Sequence, residues 1–369
     1  MKTIVVNYLG RNGGGPVYAY EMTKGLIQNG YKVIAFLSNG IENLDSWKKL
    51  PIEHLEILET FTSIPTFIKN TILFRLFKYP RLKKKFKNIK VDATYIPMDH
   101  AWAKYINAIF PDAQTIFTIH DPIPHSTNQK LFRKITSLYK GINPARVDDV
   151  IILSNVFKKY VADTYKLSED RVHVIPHGIF DFYKSIERGK VVKYEKNKKN
   201  FLFFGRICAY KGLDVLAEAF KIIQKESKEF TLSIVGNGDF EPYRKLYEGV
   251  QGVTVVNRWI KDEEVGSLFR TEEDVFLVVP YVDATQSGVI PIAMSYGVPV
   301  IASATGGLIE QVENEKTGFL VEPNNAKALA ECMIKIAKND NTEIIRNAEE
   351  FIDSLSWEAL SKRLGEIVV

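Results

Sequence analysis

Short apolar runs recur along this chain, and each is followed by a segment with helical spacing. In the first half the runs are "TIVVNYL" (3–9), "KVIAFLS" (32–38), "DATYIPM" (92–98), "QTIFTIH" (114–120), "DVIILSN" (149–155) and "VHVIPHG" (172–178). Between the first two lies "VYAYEMTKGLIQNG" (17–30), a helical pattern that ends on a glycine stop signal. The alternation lapses over "KSIERGKVVKYEKNKKN" (184–200), which is charged and lacks aliphatic runs, and then resumes. The second set is "FLFFG" (201–205), "TLSIVG" (231–236), "VTVVN" (253–257), "VFLVV" (275–279), "VPVIA" (298–302) and "GFLV" (318–321), and the chain finishes in helical segments. Strands apolar on both faces belong to parallel sheets covered by helices. The pattern therefore predicts an α/β chain of two doubly wound domains, residues 1–183 and 201–369, joined by a linker at 184–200, with room for the C-terminal helix to pack back on the first domain. In such sheets ligands sit beyond the carboxyl ends of the strands. The loops after strands are where chemistry is expected.

Composition changes this picture little. A chain of 369 residues fits two domains of roughly 150 residues each. The net charge of +5 conceals an asymmetry. Residues 1–190 hold 28 Lys and Arg against 17 Asp and Glu (+11), and residues 191–369 hold 21 against 27 (−6). A basic first half points to a phosphate ligand, a polyanion or an anionic membrane surface. The two cysteines, Cys208 and Cys332, are too few for a disulfide framework and point to a reducing compartment. The N-terminus reads as a first strand, not a signal peptide, and no apolar run approaches the ~20 residues of a spanning helix. The expected location is cytoplasmic, with peripheral attachment to the inner face of the membrane as an extension.

Candidate chemistry clusters after the apolar runs. "GRNGGG" (10–15) follows the first and opens a helix; glycines admit close backbone approach, and a helix N-terminus offers N–H groups to an anion. The spacing is not that of a dinucleotide fingerprint. His120 and Asp121 follow the fourth run, and His125, beyond two prolines, reads as structural. "FFGRICAYKG" (203–212) places Arg206 and Lys211 on one short loop, a forked cation and a point charge suited to a diphosphate. "NGD" (237–239) is a tight turn, and Gly306-Gly307 opens a late helix.

Together "FFGRICAYKGLDVLAEAF", "LSIVGNGD", "PVIASATGGLIEQV" and "TGFLVEPNNAKALA" resemble the carboxy-terminal domain of family 4 glycosyltransferases, closely over about residues 200–330; the "GGG" loop, "IHDP" and "VIPHG" extend the likeness loosely into the first half. The resemblance implies the GT-B fold, two Rossmann-like domains flanking a cleft. It also implies a retaining, metal-independent transfer of a sugar from a nucleotide diphosphate sugar, without a cofactor, to a glycan or lipid-linked acceptor in cell-surface polysaccharide assembly. By the same resemblance Arg206 and Lys211 match the diphosphate pair, Gly14 and Gly15 the glycine loop beneath it, and His120 the active-site histidine near the transferred sugar. Asn237 and Gly238, with Trp259 and Ile260 of "NRWI", lie where the nucleobase packs, and Glu310 matches a conserved-position glutamate of the "GG-x-x-E" segment.

One departure stands out. The family pattern of two glutamates with seven residues between them falls here on Ala284 and Ile292, with Asp283 beside the first. In their place the chain reads "TQSG", similar to a sub-group of such enzymes. Thr285 and Gln286 are then expected to bond the sugar, and the N–H groups near Ser287 and Gly288 the diphosphate, with Ser287 as helix N-cap. The missing carboxylates motivate one alternative, a non-catalytic GT-B subunit that binds a partner or glycan; a second alternative is a sugar-nucleotide epimerase, whose chemistry needs acid–base carboxylates in the crevice that the sequence does not place.

A last feature lies outside this pattern. "FRLFKYPRLKKKFKNIK" (74–90) carries eight Lys and Arg. Pro80 suits a first helical turn, and Leu82, Phe86 and Ile89 share one face, read either as core or as contact with anionic lipid. No groove-reading or base-stacking motif accompanies the charge, so nucleic acid is not expected.

Overall fold

The computed structural model describes residues 1–123, 141–179, 182–186, 189–270 and 274–369; His125 lies outside them. The chain forms two compact units. Among the described residues, the first comprises 1–122, 141–176 and 356–369, and the second 123, 177–179, 182–186, 189–270 and 274–355. The crossing at Pro176 and His177 falls earlier in the chain than the expected boundary at 183, and residues 184–200 run with the second unit.

The first unit is built on a seven-stranded parallel sheet of β1 (Thr3–Tyr8), β2 (Lys32–Ser38), β3 (His54–Leu58), β4 (Ala93–Ile96), β5 (Gln114–Ile119), β6 (Asp149–Ile152) and β7 (Val172–Val174). Strand order is β3-β2-β1-β4-β5-β6-β7. All six residues of β1 are buried, as expected of a central strand covered on both faces. β3 is the strand the pattern did not predict. It is an edge strand in which Ile57 is exposed and Glu56 buried, so its alternation does not read as a half-buried strand. Glu56 is accommodated by an ion pair with Lys85.

Helix α1 (Gly14–Gln28) follows β1. A long helix after β3 runs as α2 (Ile64–Leu73), one π-helical turn (Phe74–Lys78) and α3 (Tyr79–Phe86). Leu82 and Phe86 face inward and join Phe36, Phe74 and Phe110 in one core cluster, with Ile89 packed against it. The face proposed for lipid from the sequence is therefore core.

The second unit carries a six-stranded parallel sheet of β8 (Lys199–Phe204), β9 (Phe230–Gly236), β10 (Val253–Asn257), β11 (Val275–Val279), β12 (Val300–Ser303) and β13 (Phe319–Val321), in the order β10-β9-β8-β11-β12-β13. Helix α4 (Leu213–Glu226) follows β8, α5 (Val289–Ser295) follows β11, and α6 (Leu308–Gln311) follows β12.

The last helix, α7 (Trp357–Ile367), belongs to the first unit. It lies against α1 closely enough that a side chain at Gly25 would meet the Trp357 carbonyl at 2.5 Å. Asn29 Nδ2 donates to Ser361 Oγ and to the Glu358 carbonyl, both at 2.9 Å, which fixes this register.

In each sheet the strand order reverses beside the first strand of the unit, at β1/β4 and at β8/β11. These are the switch points at which doubly wound sheets bind ligands.

Candidate active site

At the switch point of the second sheet, two loops converge. The first leaves β8 through Gly205 and runs Arg206–Gly212 into α4. Glycines are required here by contact. A Cβ at Gly236 would lie 1.8 Å from the Gly205 carbonyl oxygen, one at Gly238 2.1 Å from that of Ile207, and one at Gly212 1.9 Å from that of Pro280. Gly212 also has φ 66°, in the left-handed region. The Ile207 N–H donates to the Asn237 carbonyl at 3.0 Å, so the clamp loop and the Asn237-Gly238 turn are tied together. Asn257 closes that turn from the end of β10, accepting from the Gly238 N–H at 3.2 Å and donating to its carbonyl at 3.1 Å. Beyond it Arg258 forms a two-pronged pair with Glu264 at 2.8 and 2.7 Å, which holds the Glu264 carboxyl well below the usual range. This anchors the segment carrying Trp259, half exposed, and Ile260, buried.

The two candidate cations differ in setting. Arg206 is exposed. Lys211 is buried, with its ammonium 3.5 Å from the centre of the Tyr281 ring and 4.8 Å from that of Tyr210. Aromatic faces stabilise the charge without neutralising it, so the ammonium keeps its capacity to bind an anion. Tyr281 was not foreseen; an aromatic residue just past an apolar strand carries no distinctive signal in one sequence.

The second loop leaves β11 and contains the TQSG segment. Thr285 and Ser287 are buried. The helix cap is Gly288 and not Ser287, with no side-chain bond to the first turn. Ser287 is committed elsewhere: its N–H donates to Gln311 Oε1 at 2.7 Å, and Gln311 Nε2 donates to the Ser287 carbonyl at 2.9 Å. Gln311 therefore pins the TQSG loop to α6, which also carries Glu310. Its neighbour Gln286 has a buried Oε1 with no hydrogen-bond partner. The positions where the family pattern has glutamates, Ala284 and Ile292, are buried.

In the first sheet the loop after β1 reaches α1 through Gly13, at φ 88°, whose N–H donates to Glu42 Oε2 at 3.2 Å. Gly14 and Gly15 are unlike. A Cβ at Gly14 meets nothing within 4 Å, while one at Gly15 would lie 2.6 Å from the Tyr8 hydroxyl and 3.0 Å from Met98 Cε.

His120 stands just past β5. Its Nε2 lies 2.8 Å from the Pro97 carbonyl, which can only accept, so the proton sits on Nε2 and Nδ1 carries the lone pair. The Tyr18 ring meets it edge-on at 4.8 Å. Burial pushes its pKa down, against smaller opposing effects of the Pro97 bond and Asp121, so the ring is neutral near pH 7.

At the same switch point, after β4, lie two titratable residues that the sequence reading passed over. His100 is pushed down to about 4 by burial and by Arg11, and its Nδ1 accepts the Trp102 N–H at 3.1 Å. Asp99 is raised by burial and accepts the Ile142 N–H at 2.9 Å.

Residues 12–180 match the model described as Glycosyltransferase Family 4, and residues 198–339 match that of Glycosyl transferases group 1. An uncharacterized glycosyltransferase of Methanocaldococcus jannaschii, MJ1607, is 24% identical, covering 95% of this chain and 92% of its own. The O-antigen chain mannosyltransferase C of Escherichia coli is 27% identical over 74% of this chain and 75% of its own. Among solved structures, Anabaena HepE in complex with UDP and glucose superposes with a TM-score of 0.68 at 17% identity, covering 99% of both chains. With a Glycosyltransferase Family 4 match over the first sheet and a Glycosyl transferases group 1 match over the second, the matches support a glycosyltransferase of the GT-B fold.

Proposed function

We propose that this protein is a retaining glycosyltransferase that takes a sugar from a nucleotide diphosphate sugar without a metal ion and passes it to a glycan or lipid-linked acceptor in polysaccharide assembly. The observation that carries the reading is the convergence of the Arg206–Gly212 loop and the TQSG loop at one switch point, with the Lys211 ammonium held on Tyr281. The names of relatives lend support: HepE is seen with UDP and glucose, and mannosyltransferase C builds an O-antigen chain.

In this reading Arg206 and Lys211 hold the donor diphosphate, assisted by the N–H groups where α5 begins; in the loop after β1, Gly14 is open to a ligand, whereas Gly15 is packed against Tyr8 and Met98. The nucleobase packs on Asn237, Gly238, Trp259 and Ile260. Gln286 supplies its unsatisfied Oε1 to a sugar hydroxyl, with Thr285 and Glu310 as further donor contacts. An unpaired buried acceptor costs about 1–3 kcal/mol, and a bound hydroxyl would recover it. The acceptor hydroxyl attacks the anomeric carbon on the face the diphosphate leaves. The carbon–oxygen bond to the diphosphate breaks, a new one forms to the acceptor, and a departing phosphate oxygen takes the acceptor proton. The two cations stabilise the charge that develops on the leaving group. His120, neutral, serves the sugar as a hydrogen-bonding group. The acceptor is met at the inner face of a membrane.

A second reading is a non-catalytic subunit, favoured by the buried apolar Ala284 and Ile292 where the family pattern has carboxylates. One experiment separates the two. Purified protein is screened by thermal shift against nucleoside diphosphates, and the nucleotide that stabilises it is then supplied as its sugar conjugates. Release of free sugar or transfer, unchanged by chelator, is expected. Stabilisation without turnover of any conjugate establishes the non-catalytic subunit, and activity lost to chelator and restored by manganese overturns metal independence.

A further inference from the structure

The long helix after β3 leaves a large apolar face uncovered. Ile68, Ile72, Leu73, Leu76 and Phe77 are each at least 45% exposed, with Leu76 the most open at 64%. Single exposed aliphatic residues need no explanation, but five on one helix, spaced at three and four residues, form a contiguous patch. A π-helical turn at Phe74–Lys78 lies within it. Phe74, Leu82 and Phe86 reach the core. A π turn within a longer helix is uncommon and often marks function.

Beside this face lies a groove of about 410 Å³. Buried Leu58, Phe74 and Trp102 form its floor, and exposed Leu73 and Phe77 its lip. Lys78 and Arg81 also line it, against a single acid, Glu59. The polar groups of the floor are already satisfied internally: Trp102 Nε1 donates to Thr71 Oγ1 at 2.9 Å, and Asn70 Nδ2 to the Thr60 carbonyl at 2.6 Å. The floor thus asks for hydrocarbon, not for a polar ligand. Around it, residues 60–91 hold nine Lys and Arg and no Asp or Glu.

We propose that this face is a docking surface for an anionic phospholipid bilayer, in which Leu76 and Phe77 enter the interface, one lipid chain occupies the groove, and Lys78 and Arg81 meet its phosphate. Charge complementarity favours a lipid surface over a second copy of this basic chain, since two copies would bring Lys78 and Arg81 against the same two cations. Apolar burial together with basic side chains at headgroup level is how an interfacial helix binds. The groove floor is packed from within: Phe74 stacks on Trp102 with centroids 4.6 Å apart, and Trp102 meets His100 edge-on at the carboxyl end of the sheet. The proposal rests on the membrane part of the functional reading and not on the transfer chemistry.

The test uses the full chain and vesicles of phosphatidylcholine with or without phosphatidylglycerol. Sedimentation with the anionic vesicles only, weakened by salt but not by inorganic phosphate at constant ionic strength, is expected. Lys78→Gln and Arg81→Gln should each lower the binding constant about fivefold. Leu76→Ser with Phe77→Ser should abolish binding, and both side chains are exposed enough that the fold should not suffer. In Phe77→Trp, phosphatidylglycerol brominated on its acyl chains should quench the new indole. Equal binding to neutral vesicles, binding without quenching, or competition by inorganic phosphate overturns the proposal. So does self-association through this face without vesicle binding. Donor hydrolysis, measured without vesicles, should be unchanged in all four variants; its absence from the wild type would refute the transferase and leave the vesicle result standing.

Discussion

The loops after β1 and after β8 occupy the same place in two sheets of like order, yet they are built differently. After β1 the chain uses glycines and a bare helix N-terminus, with Gly13 at positive φ and Gly14 open on the side where a Cβ would point. After β8 it uses two cations, and its Gly212, together with Gly236 at the end of β9 and Gly238 just past it, serves a different end. Gly212, Gly236 and Gly238 are there because neighbouring carbonyl oxygens come within about 2 Å of where a Cβ would sit. The first loop leaves Gly14 exposed, with only Gly15 packed against Tyr8 and Met98; around the second, glycines let strands and loops pack closely where Lys211 sits on Tyr281. A glycine-rich loop is thus not one signal but two, and only the contacts tell them apart.

The largest effect should come from the second kind of glycine. Gly212→Ala places a methyl group against the Pro280 carbonyl at a φ that side chains rarely adopt. The backbone conformation alone should cost about 1–3 kcal/mol, read by urea unfolding. Gly14→Ala should leave stability within about 0.5 kcal/mol and act, if at all, on donor affinity. Equal destabilisation by the two would erase the distinction.

A smaller effect sharpens the same contrast within the TQSG loop. Gln286→Leu removes the unpartnered Oε1 and should raise the stability of the ligand-free protein by about 1 kcal/mol, while weakening the sugar conjugate and sparing the free nucleotide. Ser287→Ala should be nearly neutral for binding, because the loop is pinned through the Ser287 backbone by Gln311. If Gln286→Leu destabilises, the Oε1 has a partner in solution and the sugar assignment fails.

The smallest effect is on pH dependence. Burial depresses the pKa of His120 below its ordinary value near 6.5. The unfolded chain then binds the proton more readily. The stability at stake is complete above about pH 6.5 and is lost as pH falls toward the lower folded value. Activity should follow, flat above neutrality and declining on the acid side. His120→Gln should remove that acid limb, and an unchanged profile would show that another group titrates.

Much of this architecture was legible in the sequence. Twelve of the thirteen strands sit in apolar runs, because a central parallel strand must be apolar on both faces. β3 was not legible, since an edge strand that buries Glu56 against Lys85 and exposes Ile57 inverts the rule. The candidate loops were located by position after strands, but their internal bonding was not. Neither the Lys211–Tyr281 contact, nor the Gln311 bracket on Ser287, nor Gly288 as the cap could be read from spacing, because each depends on the approach of residues far apart in the chain. The basic stretch shows the same limit. Its composition pointed to lipid, but the apolar face first assigned to it is core, and the exposed face begins earlier, at Ile68.

The central claim is that the loops at the β8/β11 switch point hold a diphosphate. Calorimetric titration of wild type, Arg206→Ala and Lys211→Met with a nucleoside diphosphate, and in parallel with the same nucleoside unphosphorylated, tests it most directly. A hydrogen bond to a charged group contributes about 1.5–3 kcal/mol, so each substitution should weaken the diphosphate about tenfold to a hundredfold or more while leaving the nucleoside unaffected. Equal losses for both ligands, or none for either, would contradict the account.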